Sequence, residues 1–288
     1  MYKIIQKKKI WFIISGLLVA SSIVFLSIWG LNFGIDFTGG SLLEVKFDEN
    51  RPTVIETQDR LSSLNLDSLI VQPVGEKNMI LRFQDTNEEK HQEVLVALGN
   101  VEEMRFDSVG PSIGAELKRR SVYAVIAVLV AIILYIAWAF RKVSKPVASW
   151  KYGLAAIVAL FHDILIVLGT FAILGRFFNI EINTPFIAAI LTVLGYSVND
   201  TIVVFDRARE NLPKSDDNFE ETVNASVNQT ITRSINTSIT TLLVLITILI
   251  FGGESIRDFV LALSIGVFIG TYSSIFLASP LLVSFEKK

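Results

Sequence analysis

The sequence contains no cysteine and only two histidines among its 288 residues. Without cysteine there is no disulfide framework, no thiol nucleophile and no thiolate metal site. His91 and His162 stand far apart in sequence, so a histidine-based metal cluster is not expected. Charge is also scarce: 19% of residues are charged and the net charge is -2, which gives no reason to expect nucleic acid as a partner. What remains is apolar. Hydrophobic residues make up 51% of the chain and the mean hydropathy is +0.53, too high for an ordinary soluble protein.

A helix that crosses the roughly 30 Å hydrocarbon core needs about 20 mostly apolar residues, at about 1.5 Å of rise per residue. Six segments approach or meet that length: residues 10–30, 121–140, 152–174, 185–205, 235–251 and 259–285. The fifth is the shortest and most polar; the last is long enough to tilt. Lys7, Lys8 and Lys9 before the first segment resemble the start of a secretory signal. Its apolar run exceeds the roughly 7 to 15 residues of a signal core, so an uncleaved anchor is expected. Basic residues set the direction. Lys3, Lys7, Lys8 and Lys9 precede span one; Arg141, Lys142, Lys145 and Lys151 lie between spans two and three. Arg207, Arg209, Lys214 and Arg233 lie between four and five, and Lys287 and Lys288 follow span six. The short loops on the other side hold only Arg176 and Arg257. Both termini are therefore expected in the cytoplasm. Lys118, Arg119 and Arg120 end a long translocated segment, where the rule is weak.

This divides the chain into residues 1–30 (cytoplasmic N-terminus and span one), 31–120 (an extracytoplasmic soluble domain) and 121–288 (spans two to six). Residues 31–120 carry 16 acidic and 10 basic side chains. Alternation predicts a strand over 41–47, and helical spacing of Val54, Ile55, Leu61 and Leu64 predicts a helix over 53–64. Strands over 68–72 and 78–83 flank a turn at Gly75, a second helix over 86–98 buries Val94, Leu95 and Leu98, and 101–109 closes the unit as a strand. The order β-α-β-β-α-β is the split pattern of ferredoxin-like domains. His91, among Glu88, Glu89 and Glu93, reads as a solvated histidine. The fold class expected is thus an α-helical polytopic membrane protein with six transmembrane helices and one α+β ferredoxin-like extracytoplasmic domain between helices one and two. Within 206–234, Phe219, Val223, Val227 and Ile231 form a stripe, expected to lie as an amphipathic helix on the cytoplasmic surface.

Ionisable groups inside spans are costly and are functional candidates by default. In span four, Thr192, Tyr196 and Asp200 recur every fourth residue, with Gly195 and Asn199 beside them. A carboxylate that changes protonation there suits ion transfer, although a purely tertiary hydrogen bond would use the same residues. Arg233 is its expected partner, on a face with Thr237 and Thr241 and next to Asn236 and Thr240; a snorkelling arginine is the alternative. His162 and Asp163 in span three are a second candidate, for ion transfer or for helix packing. Asp206 and Arg207 read as an interfacial ion pair. Ala262, Gly266, Gly270, Ser274 and Ala278 give span six a small-residue face for close packing. No enzyme is expected. Gly195-Tyr196-Ser197-Val198-Asn199 lacks the closing glycine of a nucleophile elbow, and an aspartyl protease needs two carboxylates sharing a site.

Four motifs carry a family resemblance. Gly34-Ile35-Asp36-Phe37-Thr38-Gly39-Gly40 after span one and Val109-Gly110-Pro111-Ser112-Ile113-Gly114-Ala115-Glu116-Leu117 before span two resemble motifs of the SecD/SecF protein-export subunits. The run from Gly195-Tyr196-Ser197-Val198-Asn199-Asp200 to Asp206-Arg207 is similar to the span-four signature of the SecF branch, and the run from Arg233 to Thr241 resembles its span-five pattern. The resemblance covers essentially the whole chain. It implies an RND-superfamily half in the bacterial cytoplasmic (inner) membrane, paired with SecD, that assists the SecYEG channel in moving exported proteins. The coupling ion would be H+ or Na+, with no other cofactor, and the ion pathway would use Asp200, Arg233, Asn199, Thr237, Thr241 and Asp163. Asp36, Gly39, Gly40, Gly110, Pro111, Gly195, Tyr196 and Ser197 would be structural motif residues. Pathways in related folds are built from two repeats, and this chain has one six-span half, so a partner is implied. The alternatives are a passive membrane-complex scaffold and half of a small-molecule efflux transporter.

Overall fold

The computed structural model describes residues 1–84, 87–141 and 147–286. Thr86, Lys142, Lys145, Lys287 and Lys288, used above for a helix start and for direction, lie outside the described residues. In chain order the elements are α1 (Lys8–Trp29), α2 (Ile35–Thr38), β1 (Gly40–Phe47), α3 (Val54–Leu61), β2 (Ile70–Val74), β3 (Asn78–Phe83), α4 (Glu88–Leu98) and β4 (Val101–Val109). Then follow α5 (Pro111–Ala139), α6 (Ser149–Phe178), α7 (Thr184–Asn211), α8 (Phe219–Phe251), α9 (Glu254–Ser273), a π-helical turn (Ser274–Ala278) and α10 (Ser279–Ser284). Among the described residues six helical stretches are long and apolar enough to cross a membrane: Ile5–Trp29, Pro111–Ala139, Ser149–Phe178, Thr184–Lys214, Phe219–Phe251 and Ile256–Ser284. The chain forms two compact units, Phe33–Val122 and the remainder.

In the smaller unit the four strands make one antiparallel sheet in the order β2-β3-β1-β4. The pleat of β1 turns Leu43, Val45 and Phe47 to one face, where Met79, Leu81 and Phe83 of β3 join them. Leu61 of α3 and Val94 and Leu98 of α4 close over this face. α3 starts at a capping box: Thr53 Oγ1 accepts from the Glu56 N–H, and Glu56 Oε2 accepts from the Thr53 N–H at 2.8 Å. Donation from Thr53 holds the Glu56 carboxyl below its ordinary range.

Two expectations for this unit need correction. Ile55 is exposed, because Val54, Leu61 and Leu64 set the phase of α3 and leave Ile55 on its outer side. His91 is buried, not solvated, because it falls in register with Val94 and Leu98. Its ring stacks on Phe106 at 3.7 Å, with Nδ1 3.2 Å from Glu88 and Nε2 3.2 Å from Glu103.

The two glycine-containing motifs of this unit meet backbone to backbone. Asp36 sits half-buried in the single turn of α2. Gly39 follows at φ +74°, where a Cβ would stand 2.8 Å from Pro111 Cα; a Cβ on Gly114 would stand 2.9 Å from Gly39 N. Gly110 O accepts from the N–H groups of Ile113 and Gly114, both at 3.0 Å, and so starts α5. Gly39→Ala therefore combines left-handed strain with a backbone clash, and is expected to cost about 2 kcal/mol or more. Gly75→Ala, at φ +55° with open space around it, carries the strain alone. Thermal melts of the two variants should separate, with a fall in apparent Tm of roughly 10 °C for Gly39→Ala and about half that for Gly75→Ala.

In the larger unit α6, α7 and α9 pack together, α1 lies along α6, and α8 lies along α7 and α9. The small-residue stripe of α9 makes one seam: a Cβ on Gly266 would stand 2.1 Å from Val193 Cγ2, and one on Gly270 would stand 2.9 Å from Ser197 Cβ. α1 approaches α6 as closely, with Ser22 Cβ 2.4 Å from where Gly169 would carry a Cβ. Phe140, Tyr152 and Phe205 form a buried aromatic cluster, with centroids 5.2 to 6.1 Å apart.

The segment 206–234 is not a separate surface helix. Residues 206–211 continue α7, and from Phe219 onward the segment is the first half of α8, a single helix of 33 residues. No glycine or proline interrupts Phe219–Phe251, so nothing ends the helix before span five. Phe219, Val223 and Val227 are buried in the bundle core. Asn224 Oδ1 accepts from the N–H groups of Ile4 (3.0 Å) and Ile5 (3.2 Å), which ties the N-terminus to this helix.

Candidate functional site

Polar side chains gather where α6, α7, α8 and α9 pack. α7 turns Ser197, Asp200 and Thr201 inward with Val193, Leu194 and Val204, and leaves Thr192, Gly195 and Asn199 exposed. The expected stripe of Thr192, Tyr196 and Asp200 is therefore not one face. Steps of four residues drift by about 40° each on a helix of 3.6 residues per turn, so Thr192 and Asp200 end about 80° apart. Tyr196, between them, is half-buried, and its hydroxyl lies 3.0 Å from Ser238 Oγ.

Asp200 is 9% exposed. Its Oδ1 accepts a hydrogen bond from Ser234 Oγ of α8, and its Oδ2 is buried with no hydrogen-bond partner among the described residues. The partner named from the sequence, Arg233, is one residue off. Its side chain is exposed and, among the described residues, no ion pair joins it to Asp200. Thr237 is exposed and Thr241 half-buried; its hydroxyl donates to the Thr237 carbonyl at 2.9 Å. The side of α8 that faces α7 is Ser234 and Ser238, the latter also 2.5 Å from Thr271 Oγ1 of α9.

Asp163 is buried more deeply, with no exposed surface. Its Oδ2 accepts from Ser197 Oγ of α7 (2.5 Å) and Ser273 Oγ of α9 (2.8 Å), and its Oδ1 lies 2.9 Å from His162 Nδ1. Thr201 and Ser274 pair beside it at 2.9 Å. Asp163 and Asp200 thus sit in separate hydrogen-bond groups, one centred on α6 and one between α7 and α8. Asp206 pairs with Arg209 and Arg207 with Glu210, rather than Asp206 with Arg207; i,i+3 neighbours face each other on a helix and adjacent residues do not. Among the described residues no three His, Asp or Glu side chains gather as a metal site requires.

Ser234 and Ser238 lie in the span-five pattern but, like Thr271 and Ser273, are absent from the ion-pathway residues named from the sequence. The signal that finds them is the phase of α8: continued along one unbroken helix, the stripe Phe219, Val223, Val227 leads to Thr230, Ser234, Ser238 and Leu245, all buried.

The family described as "Protein export membrane protein SecD/SecF, C-terminal" matches residues 90–288, and the "SecD/SecF GG Motif" matches residues 24–50. "Protein translocase subunit SecF" of Thermobaculum terrenum is 42% identical over 306 residues, covering 100% of this chain and 95% of that protein. "Protein translocase subunit SecDF" of Brucella abortus is 37% identical over 97% of this chain, which spans 37% of that longer protein. The crystal structure of SecDF from Thermus thermophilus, titled a translocon-associated membrane protein, superposes with a TM-score of 0.87 at 33% identity; it covers all of this chain, which spans 39% of that one. Full-length identity to SecF proteins and the match over residues 90–288 agree with the motifs at Gly39, Gly110 and Asp200, and the chain belongs to the SecD/SecF family of protein-export membrane proteins, on its SecF side.

Proposed function

We propose that this chain is the SecF-type half of an ion-driven export machine in the bacterial cytoplasmic membrane, with both termini cytoplasmic and no enzymatic activity. It works beside a SecD-type half, assists the SecYEG channel, and draws on a proton or sodium gradient to move exported proteins. The observation that carries this reading is a polar surface on helices of membrane-spanning length. Asn199, Arg233, Asn236, Thr237 and Thr240 are exposed on α7 and α8, next to the buried Asp200 carboxylate, whose Oδ2 has no hydrogen-bond partner among the described residues. Gly195 opens onto this surface with nothing within 4 Å of a Cβ. Lipid cannot satisfy such groups, so a second protein must face them, and an ion path lined from both sides would reach Asp200. The names of the SecF and SecDF relatives support the export role and the SecD-type partner. In this scheme a proton added at Asp200 Oδ2 removes the charge that Ser234 and Arg233 stabilise, and α7 and α8 readjust against the partner half. The smaller unit is read as a ferredoxin-like positioning module, supported by its β-α-β-β-α-β order and its sheet order.

Because the chain has no cysteine, one introduced thiol reports alone. Thr237→Cys carrying a thiol-reactive photo-cross-linker is expected to capture a SecD-type protein in native membranes, whereas Ile13→Cys on the apolar outer face of α1 should not. Labelling of lipid alone from position 237 would reject the shared interface.

A further inference from the structure

The bundle holds a second titratable pair that the scheme above does not use. Two serine hydroxyls, one from α7 and one from α9, donate to Asp163 Oδ2, and His162 Nδ1 lies 2.9 Å from Oδ1, where it donates in the tautomer that carries the Nδ1 proton. A carboxylate is an acceptor, so this shell suits the ionised form. Isolated, such a charge in the bundle interior would be costly. Among the described residues the titratable side chain in contact with it is that of His162.

His162 is itself 4% exposed, and its second ring nitrogen, Nε2, is buried without a hydrogen-bond partner among the described residues. Its ring lies 6.0 Å from that of Tyr272 on α9, whose hydroxyl is 3.1 Å from Ser15 Oγ on α1. The groups around the pair are therefore Ser15 from α1, Ser197 from α7, and Tyr272 and Ser273 from α9, while Asp200 turns to Ser234 of α8.

We propose that His162–Asp163 is a proton-binding site in its own right. The proton adds at His162 Nε2, and the Asp163 carboxylate, through the 2.9 Å Nδ1 contact, supplies the compensating charge. Release of that proton leaves the carboxylate held by its three donors alone. Since two of the donors come from α7 and α9, proton occupancy sets how firmly those helices are tied to α6. The site stands on this geometry and not on the coupling role of Asp200, so either can fail without the other.

The two histidines of the chain make the test direct. The full chain, labelled with 15N-histidine and reconstituted in lipid vesicles, gives two imidazole signals, and His162→Gln identifies the one to follow. The Nε2 signal of His162 is expected to pass from bare to protonated between about pH 9 and about pH 5. Asp163→Asn should abolish that transition, because the buried imidazole loses its counter-charge, and Asp200→Asn should leave it in place. Ser273→Ala keeps both titratable groups and removes one donor, and should move the midpoint even if Asp163→Asn fails to reconstitute. An Nε2 signal constant across the range, a transition that survives Asp163→Asn, or a midpoint unmoved by Ser273→Ala would overturn the proposal.

Discussion

Asp200→Asn is expected to remove the gradient-dependent part of export, lowering it about tenfold or more, while the complex still assembles. Asparagine keeps the shape of the side chain and an oxygen that accepts from Ser234 Oγ, so packing between α7 and α8 is preserved. What it cannot do is gain or lose a proton at Oδ2, the buried oxygen with no hydrogen-bond partner among the described residues. A gradient supplies about 2.3 kcal/mol per elementary charge per 100 mV, a shift of about fifty-fold in a two-state equilibrium. A group locked neutral forfeits that whole bias. Ser234→Ala deletes one hydrogen bond and leaves the carboxylate, so it should cost only about 1 kcal/mol and reduce the response partially. The measurement is export into inverted membrane vesicles with and without an imposed gradient, alongside co-purification of the partner half. Full stimulation by the gradient in Asp200→Asn would refute the coupling role. Loss of co-purification with unchanged ion dependence would favour a passive scaffold.

Gly266→Leu is expected to be strongly destabilising to the bundle. A Cβ at this position already falls 2.1 Å from Val193 Cγ2 and 2.7 Å from Cγ1, so a leucine has to force α9 away from α7. Overpacking of this kind costs typically about 1–3 kcal/mol and can exceed it. The same seam carries Ser197 and Ser273 to Asp163, so the polar group at its centre is lost with the packing. The obstruction comes from a side chain rather than from backbone, which makes it repairable: Val193→Ala should restore much of the stability of Gly266→Ala, though not of Gly266→Leu. Apparent Tm and protease resistance of the purified chain check this. Equal stability of Gly266→Ala with and without Val193→Ala would show that the seam is looser than its geometry.

The six spans were legible because span length is a one-dimensional property: about 20 apolar residues in a row suffice, wherever the neighbours are. Their outer bounds were too short, since α5 begins at Pro111 and α8 at Phe219, in polar sequence that hydropathy excludes but helix continuation does not. The strands were legible where one face is buried. Residues 78–83 and 101–109 match β3 and β4, whereas β2 runs two residues later than expected, at Ile70–Val74, because pairing with β3 rather than local alternation sets its register. His91 was misread because three glutamates nearby outweighed its register with Val94 and Leu98. A histidine that stacks on Phe106 between two glutamates satisfies both neighbourhoods.

By itself the sequence determined the number of spans, the place of the smaller unit and the choice of Asp163 and Asp200 as carboxylates within spans, since each depends only on composition along the chain. Tertiary structure alone decided which neighbours those carboxylates meet. One residue on a helix is a rotation of about 100°, so moving from Arg233 to Ser234 changes an exposed cation into a buried hydroxyl. That phase is set by the whole of α8, whose apolar half at Phe219, Val223 and Val227 is anchored in the core and turns Ser234 toward Asp200. The two serine donors to Asp163 join α6, α7 and α9 across separations of 34 and 110 residues. No local pattern encodes such a meeting, which exists only once the small-residue seam has brought the helices together.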